Sequence, residues 1–395
     1  MTDVAERLEE LRASGLRRRL RLVEGAQGPR ILLDGEPVLL LCSNDYLGLA
    51  GDRRVRDAAA EAALRWGAGA GASRLISGNM EPHVRLEERL AAFKGYEAAL
   101  LFGSGYLANI GTIAALAGRD GVVFSDELNH ASIVDGCRLA RAETFVYRHG
   151  DVEHLAWGLG QAGDRAALIV SDGVFSMDGD VAPLEDLVRL ARAHECRLMV
   201  DEAHATGALG PGGRGSVAAA GLSGEVDLVV GTLGKALGSY GAYACCDAGL
   251  REYLINTARS FIFSTALPPP VLAAALAALE LLEAEPQRVR RLGANAAALR
   301  EGLRAEGLEA GGGESQIVPL RVGEAEPTME LCERLLERGV FAQGIRPPTV
   351  PPGSSRLRFS VMATHEPAEL REAARLAGEA GRELRVAPTG SPVPA

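Results

Sequence analysis

Basic residues are scarce relative to acidic ones in this 395-residue chain, 42 against 52, which leaves a net charge of −10. A nucleic-acid partner needs a basic face to neutralise phosphates, so this balance argues against one. The six cysteines lack C-x-x-C spacing, which excludes the common metal frames and a redox dithiol motif. They read as buried thiols of a cytoplasmic protein, with Cys245 and Cys246 on one strand pointing to opposite faces. No long apolar run is free of breakers. The most apolar stretch, 266–282, carries Pro268, Pro269, Pro270 and Glu280, so it reads as a core helix rather than a membrane span. The one basic cluster, Arg17, Arg18, Arg19 and Arg21, follows Glu6, Glu9 and Glu10, which is not the composition of a transit peptide, and no targeting segment is expected.

What is present is an alternation of strand and helix signals. Segments 99–102, 122–124, 145–147, 168–170, 198–200, 228–230 and 242–245 are short, nearly continuous apolar runs, and amphipathic patterns such as 183–194 lie between them. That pattern predicts an α/β fold with a mostly parallel sheet covered by helices on both faces. The chain divides into an N-terminal arm (1–50), a large cofactor-binding α/β region (51–285), a smaller α+β region (286–384) and a disordered tail (385–395). In the arm, Leu8, Leu11, Leu16 and Leu20 suggest a helix over 5–22, and 31–33 with 38–41 suggests a hairpin about Asp34-Gly35-Glu36.

Two strand ends carry chemistry. The run Leu198-Met199-Val200 ends in Asp201, and Leu228-Val229-Val230 runs into Gly231-Thr232-Leu233-Gly234-Lys235. In parallel sheets ligands bind beyond the carboxyl ends of the strands. An amine and a carboxylate delivered there suit pyridoxal 5'-phosphate, whose aldehyde takes a lysine and whose ring nitrogen pairs with an acid. Either motif alone fits equally a surface lysine or a strand-end ion pair. Gly103-Ser104-Gly105-Tyr106 follows a strand and opens a helix, where free amides and the helix dipole can hold a phosphate, although a plain turn reads the same way. Thr232, Ser264 and Thr265 offer hydroxyls to the same group. His130 and His204 fall just past strand ends, and Ser176 lies in a turn-rich segment beside Asp178-Gly179-Asp180. Arg356 and Arg358 share a face of a predicted strand, where a planar fork can grip a carboxylate or merely meet solvent.

Together these segments resemble the α-oxoamine synthase family of fold-type-I pyridoxal phosphate enzymes. The likeness runs from Ser43-Asn44-Asp45-Tyr46-Leu47-Gly48 through Ala72-Ser73-Arg74-Leu75-Ile76-Ser77-Gly78, Phe175-Ser176-Met177-Asp178-Gly179-Asp180 and Asp201-Glu202-Ala203-His204 to His365-Glu366, nearly the whole chain. The resemblance implies a cytoplasmic homodimer, without nucleic acid or membrane partners, that condenses L-alanine with an acyl-CoA. It implies Lys235, His130 and Asp201 as catalytic residues, and Gly105, Tyr106, His130, Ser176, Asp201, His204, Thr232, Lys235 and Thr265 at the cofactor. Arg17, Asn44, Thr349 and Arg358 then match substrate positions. Asp172 departs from the family pattern by one methylene where several members carry Glu, which leaves the acyl donor open between branches. A fold-type-I aminotransferase and a non-catalytic cofactor scaffold are the rival readings; thiol release from CoA separates the first, and any turnover the second.

Overall fold

The computed structural model describes residues 3–13 and 16–386. At its centre is a seven-stranded sheet in the order Ala98–Phe102, Ala242–Cys246, Leu228–Thr232, Arg197–Asp201, Ala167–Asp172, Val122–Asp126 and Glu143–Tyr147. Only Ala242–Cys246 runs against its neighbours; the other pairs are parallel. All seven predicted strands are present. Their apolar runs are continuous because both faces are covered: Leu198 and Val200 enter one helical layer and Met199 the other. Cys245 and Cys246 divide between the two layers in the same way, both fully buried.

The stretch 266–282 enters the helix Pro269–Ala284 after its first three residues, with prolines at the cap and over the first turn where no intrahelical donor is lost. The helix Gln287–Ala305 leads to an antiparallel sheet of Ile317–Gly323, Ser355–Ser360 and Gln343–Ile345, covered by the helices Ala325–Glu337 and Pro367–Glu383.

The arm differs from its reading. Its helix spans only Val4–Ala13, and 16–22 runs on without helix. The step from Leu11 to Leu16 is five residues, which breaks the three-four spacing. Leu20 is fully exposed. The hairpin is present as Arg30–Leu33 and Glu36–Leu40, but its second strand also pairs in parallel with Val340–Phe341, a distant segment. That link ties the arm to the later part of the chain. The expected tail, apart from Arg385 and Val386, lies outside the described residues.

Candidate active site

Lys235 sits in the tight turn after Leu228–Thr232, where Gly238 donates its amide to the Lys235 carbonyl at 2.9 Å. Gly238 has φ +58°, and a Cβ there would stand 2.3 Å from the Ala50 amide, so the turn that aims Lys235 requires glycine. The Lys235 amine lies 2.7 Å from His204 Nε2. Burial holds that amine down to about 8, against the opposing pull of Asp201 and Asp172. The whole chain contains two lysines, Lys94 and Lys235. Lys94 is buried in an ion pair with Glu202, so Lys235 is the one lysine amine without a carboxylate in contact.

His204 is buried between the lysine and Tyr46, whose Oη is 2.6 Å from Nδ1. Burial, then Lys235, depresses the imidazole well below its usual range, and burial raises the Tyr46 phenol. Both are therefore neutral near pH 7; Tyr46 Oη donates its one proton to Asn44 Oδ1 at 3.1 Å, which leaves it to accept from His204 Nδ1, and Nε2 faces Lys235 as an acceptor. Gln316 Nε2 donates to the His204 carbonyl at 2.8 Å and pins the turn from behind.

Asp201 is buried at the tip of its strand. Its Oδ2 accepts from Asn109 Nδ2 at 2.6 Å and its Oδ1 from the Ala203 amide at 2.8 Å. Asn109, from the helix Gly105–Ala117, also donates to Ser132 Oγ at 2.8 Å, and that hydroxyl is 2.7 Å from His130 Nδ1. His130 caps the helix Ala131–Ala140 and is open to the cleft. The protein packed around its ring disfavours the charged form, with Asp201 opposing and Lys235 adding to that effect. The Asp172 carboxylate accepts the His130 amide at 2.7 Å while Asn129 Oδ1 accepts the Asp172 amide at 2.8 Å. Burial and the neighbouring Asp201, at the adjacent strand tip, push Asp172 well above the usual carboxylate range.

Ser104 caps the helix Gly105–Ala117 by accepting from the Leu107 amide at 3.2 Å. The first-turn amides of Gly105 and Tyr106 have no intrahelical acceptor and remain for a ligand. Tyr106 directs its hydroxyl to Asp135 at 2.7 Å. Thr232 Oγ1 donates to the Gly241 carbonyl at 3.1 Å, and Ser264 and Thr265 line a small cavity with Gly103.

Arg358 and Arg356 are both buried, which rules out the solvated strand face. Arg356 is taken by an ion pair with Asp178. Arg358 donates Nε to the Ser176 carbonyl at 2.5 Å and Nη1 to Ser360 Oγ at 2.9 Å, and its fork stands 3.5 Å from Asn44 Oδ1. It is the backbone of Ser176, then, that meets Arg358. Arg17 and Thr349 lie elsewhere, in a cleft of about 800 Å³ lined also by Arg18, Arg19, Arg21 and Arg346. Arg346 joins its two walls, donating to the Arg17 carbonyl at 3.4 Å and accepting the Thr349 amide at 3.1 Å. None of Lys235, Asp201, His130 or His204 lines that cleft.

Sequence reading missed Tyr46, Asn109 and Gln316. Tyr46 stood inside a quoted motif with no role given, and Asn109 was visible as a lone amide in the otherwise apolar helix Gly105–Ala117. Gln316 carried no local signal, because its partner is 112 residues away.

Curated relatives match along their full length. Proteins named 8-amino-7-oxononanoate synthase from Citrifermentans bemidjiense and Geobacter sulfurreducens are 56% and 55% identical, covering 98% and 97% of this chain and 100% and 99% of their own. Among solved structures, Sphingomonas wittichii serine palmitoyltransferase superposes with a TM-score of 0.92 at 34% identity, over 98% of each chain. The 8-amino-7-oxononanoate synthase of Francisella tularensis does so with 0.77 at 29% identity, over 88% of this chain and 99% of its own. The sequence model for aminotransferase class I and II matches residues 36–376, and the chain belongs to that family.

Proposed function

We propose that this chain catalyses the decarboxylative condensation of L-alanine with pimeloyl-CoA, giving 8-amino-7-oxononanoate, CoA and carbon dioxide, a step of biotin synthesis. The relatives that share more than half of its residues over almost all of its length carry that name. The observation that carries the chemistry is the Lys235 amine, depressed to about 8 and set 2.7 Å from His204 among the strand tips.

The residues present fit pyridoxal 5'-phosphate. A single unpaired lysine amine, a buried carboxylate and a helix start with free amides form a donor set matching an aldehyde, a pyridine nitrogen and a phosphate. When bound, the cofactor supplies an electron-withdrawing ring that takes up the charge left at the alanine Cα. In this reading Lys235 Nζ holds the cofactor and then takes the Cα proton. Asp201, fixed by Asn109, keeps a proton on the ring nitrogen, a preorganised charge of the kind that dominates many rate enhancements. His204 Nε2 faces the ring oxygen, and His130 and Ser176 wall the site. Gly105, Tyr106, Thr232 and Thr265 serve the phosphate.

Arg358, with Asn44, offers a buried fork to the alanine carboxylate. Arg17 and Thr349 belong to the acyl donor, and the five arginines of their cleft suit its distal carboxylate. Residues 51–285 then hold the cofactor and 286–384 bring Arg358 to it. Exposed Leu75, Ile76 and Phe263 lie beside the Ser73–Thr265 bridge, an apolar patch that supports a homodimer with shared sites. Among the described residues no helix is long and apolar enough to cross a membrane. The test is a panel of acyl-CoAs against alanine, glycine and serine, followed by thiol release. Pimeloyl-CoA with alanine is expected to give the highest kcat/KM; acetyl-CoA with glycine in that place defeats the reading.

A further inference from the structure

We propose that His149, which touches none of the groups above, is a positioning residue. As an imidazolium clasped between Asp126 and Asp180, it fixes the outer side of the 174–181 loop and, through that loop, Ser176 and Arg358.

His149 follows the edge strand Glu143–Tyr147. Its Nδ1 is 3.0 Å from Asp126 Oδ1 and its Nε2 is 2.8 Å from Asp180 Oδ2. Carboxylates only accept, so both ring nitrogens must donate, and only the doubly protonated ring can do so. The ring also stands edge-on to Phe175, with centroids 4.4 Å apart. The charged groups facing it are Asp126 and Asp180; Glu127 accepts the His149 amide, and Arg148 turns away to Asp151. The two carboxylates hold the imidazole up to about 10, against the effect of burial. With its folded pKa raised above the ordinary value, the cation's contribution to stability is complete below that value. It is lost only as pH rises through about 10.

The loop it grips is a closed one. Phe175 donates to the Asp180 carbonyl at 3.0 Å, Gly179 to the Phe175 carbonyl at 2.8 Å, and Val174 bridges Val181. On its inner side the Ser176 carbonyl accepts from Arg358, Asp178 pairs with Arg356, and the Gly179 carbonyl accepts Ser315 Oγ at 2.6 Å. Asp180 Oδ1 is buried with no hydrogen-bond partner among the described residues, so His149 is the one cation closing this side chain's account. Every inner contact is made by a backbone carbonyl or by Asp178, and a loop holding Arg358 by its main chain must itself be held from outside.

The functional consequence rests on the reading of Arg358 as the partner of the alanine carboxylate, and the test separates the two. In the holoenzyme, ring 15N signals of His149 are expected to show both nitrogens protonated at pH 8. Asp180→Asn is expected to bring deprotonation toward neutral pH. His149→Gln, and independently Asp180→Asn, should speed hydrogen exchange across 173–182 and raise the KM for L-alanine about tenfold with kcat changed less, as for a misplaced binding group. A neutral ring at pH 8, or unchanged exchange in both variants, overturns the proposal. So does an unchanged alanine KM where Arg358→Lys raises it. If exchange quickens and Arg358→Lys leaves the KM alone, the loop clasp stands and the reading of Arg358 is what fails.

Discussion

Of the chain's two lysines, Lys94 is buried and Lys235 half-buried at the cleft, and the protein treats them oppositely. Lys94 is surrounded by acceptors: the Glu202 carboxylate, the Arg214 carbonyl and Thr206 Oγ1. Glu202 in turn accepts from Ser216 Oγ and the Val217 amide, so this region is a closed polar network beneath the strand tips. Lys235 meets only an imidazole, with Asp201 and Asp172 near enough to be felt but not in contact. Burial alone therefore does not make a reactive lysine. What matters is burial with the counter-charge withheld, which lowers the amine toward neutrality at working pH.

Replacing each lysine breaks that comparison most sharply. Lys235→Ala should lower turnover by at least about a thousandfold while the folding transition moves by less than about 1 kcal/mol, as measured by steady-state assay and denaturant unfolding. Lys94→Ala should do the reverse of this in stability, losing roughly 3–5 kcal/mol because Glu202 is left buried and uncompensated. The amine at Lys235 is protonated below about 8 and free above it, so cofactor capture by apoprotein should quicken with pH and level off above about 8. A flat capture rate between pH 6 and 9 contradicts the assigned shift.

Asp201→Asn keeps the side-chain shape but removes the charge and leaves one accepting oxygen where the carboxylate has two. It should cost about 100- to 1,000-fold in kcat with cofactor retained; near-wild-type kcat removes Asp201 from the mechanism. Tyr46→Phe removes the hydroxyl that holds His204 Nδ1. A loss of one hydrogen bond to a buried ring predicts roughly a tenfold fall in kcat, about 1.4 kcal/mol, and an unchanged pH profile and rate show that His204 is oriented without it. The smallest effect belongs to the arginine cleft. Arg17→Ala should narrow the preference for pimeloyl-CoA over octanoyl-CoA through the pimeloyl-CoA KM, and equal kcat/KM for the two in the unaltered enzyme contradicts the carboxylate assignment.

The legible parts of this molecule were those written in short-range pattern. The seven central strands were marked by continuous apolar runs, and Asp201 and Lys235 by their place just after two of them. Less legible were features set by pairing across the chain. The arm helix was over-extended because leucine spacing was read through the gap between Leu11 and Leu16, and the parallel pairing of Glu36–Leu40 with Val340–Phe341 has no local signature. The resemblance implied Arg17 and Thr349 only as substrate positions; that they line one cleft, separate from the lysine's surroundings, is set by the folded chain. Tyr46, Asn109 and Gln316 act through partners 92 to 158 residues away, a distance at which only the folded chain pairs them.

The contrast between the lysines can be measured directly. Holoprotein reduced with borohydride, digested and mapped by mass spectrometry should carry one pyridoxyl group per chain, on Lys235. Lys94 should be unlabelled, and Lys235→Ala should yield no labelled lysine at all. A pyridoxyl group on Lys94, or retention of a reducible lysine linkage in Lys235→Ala, contradicts the account.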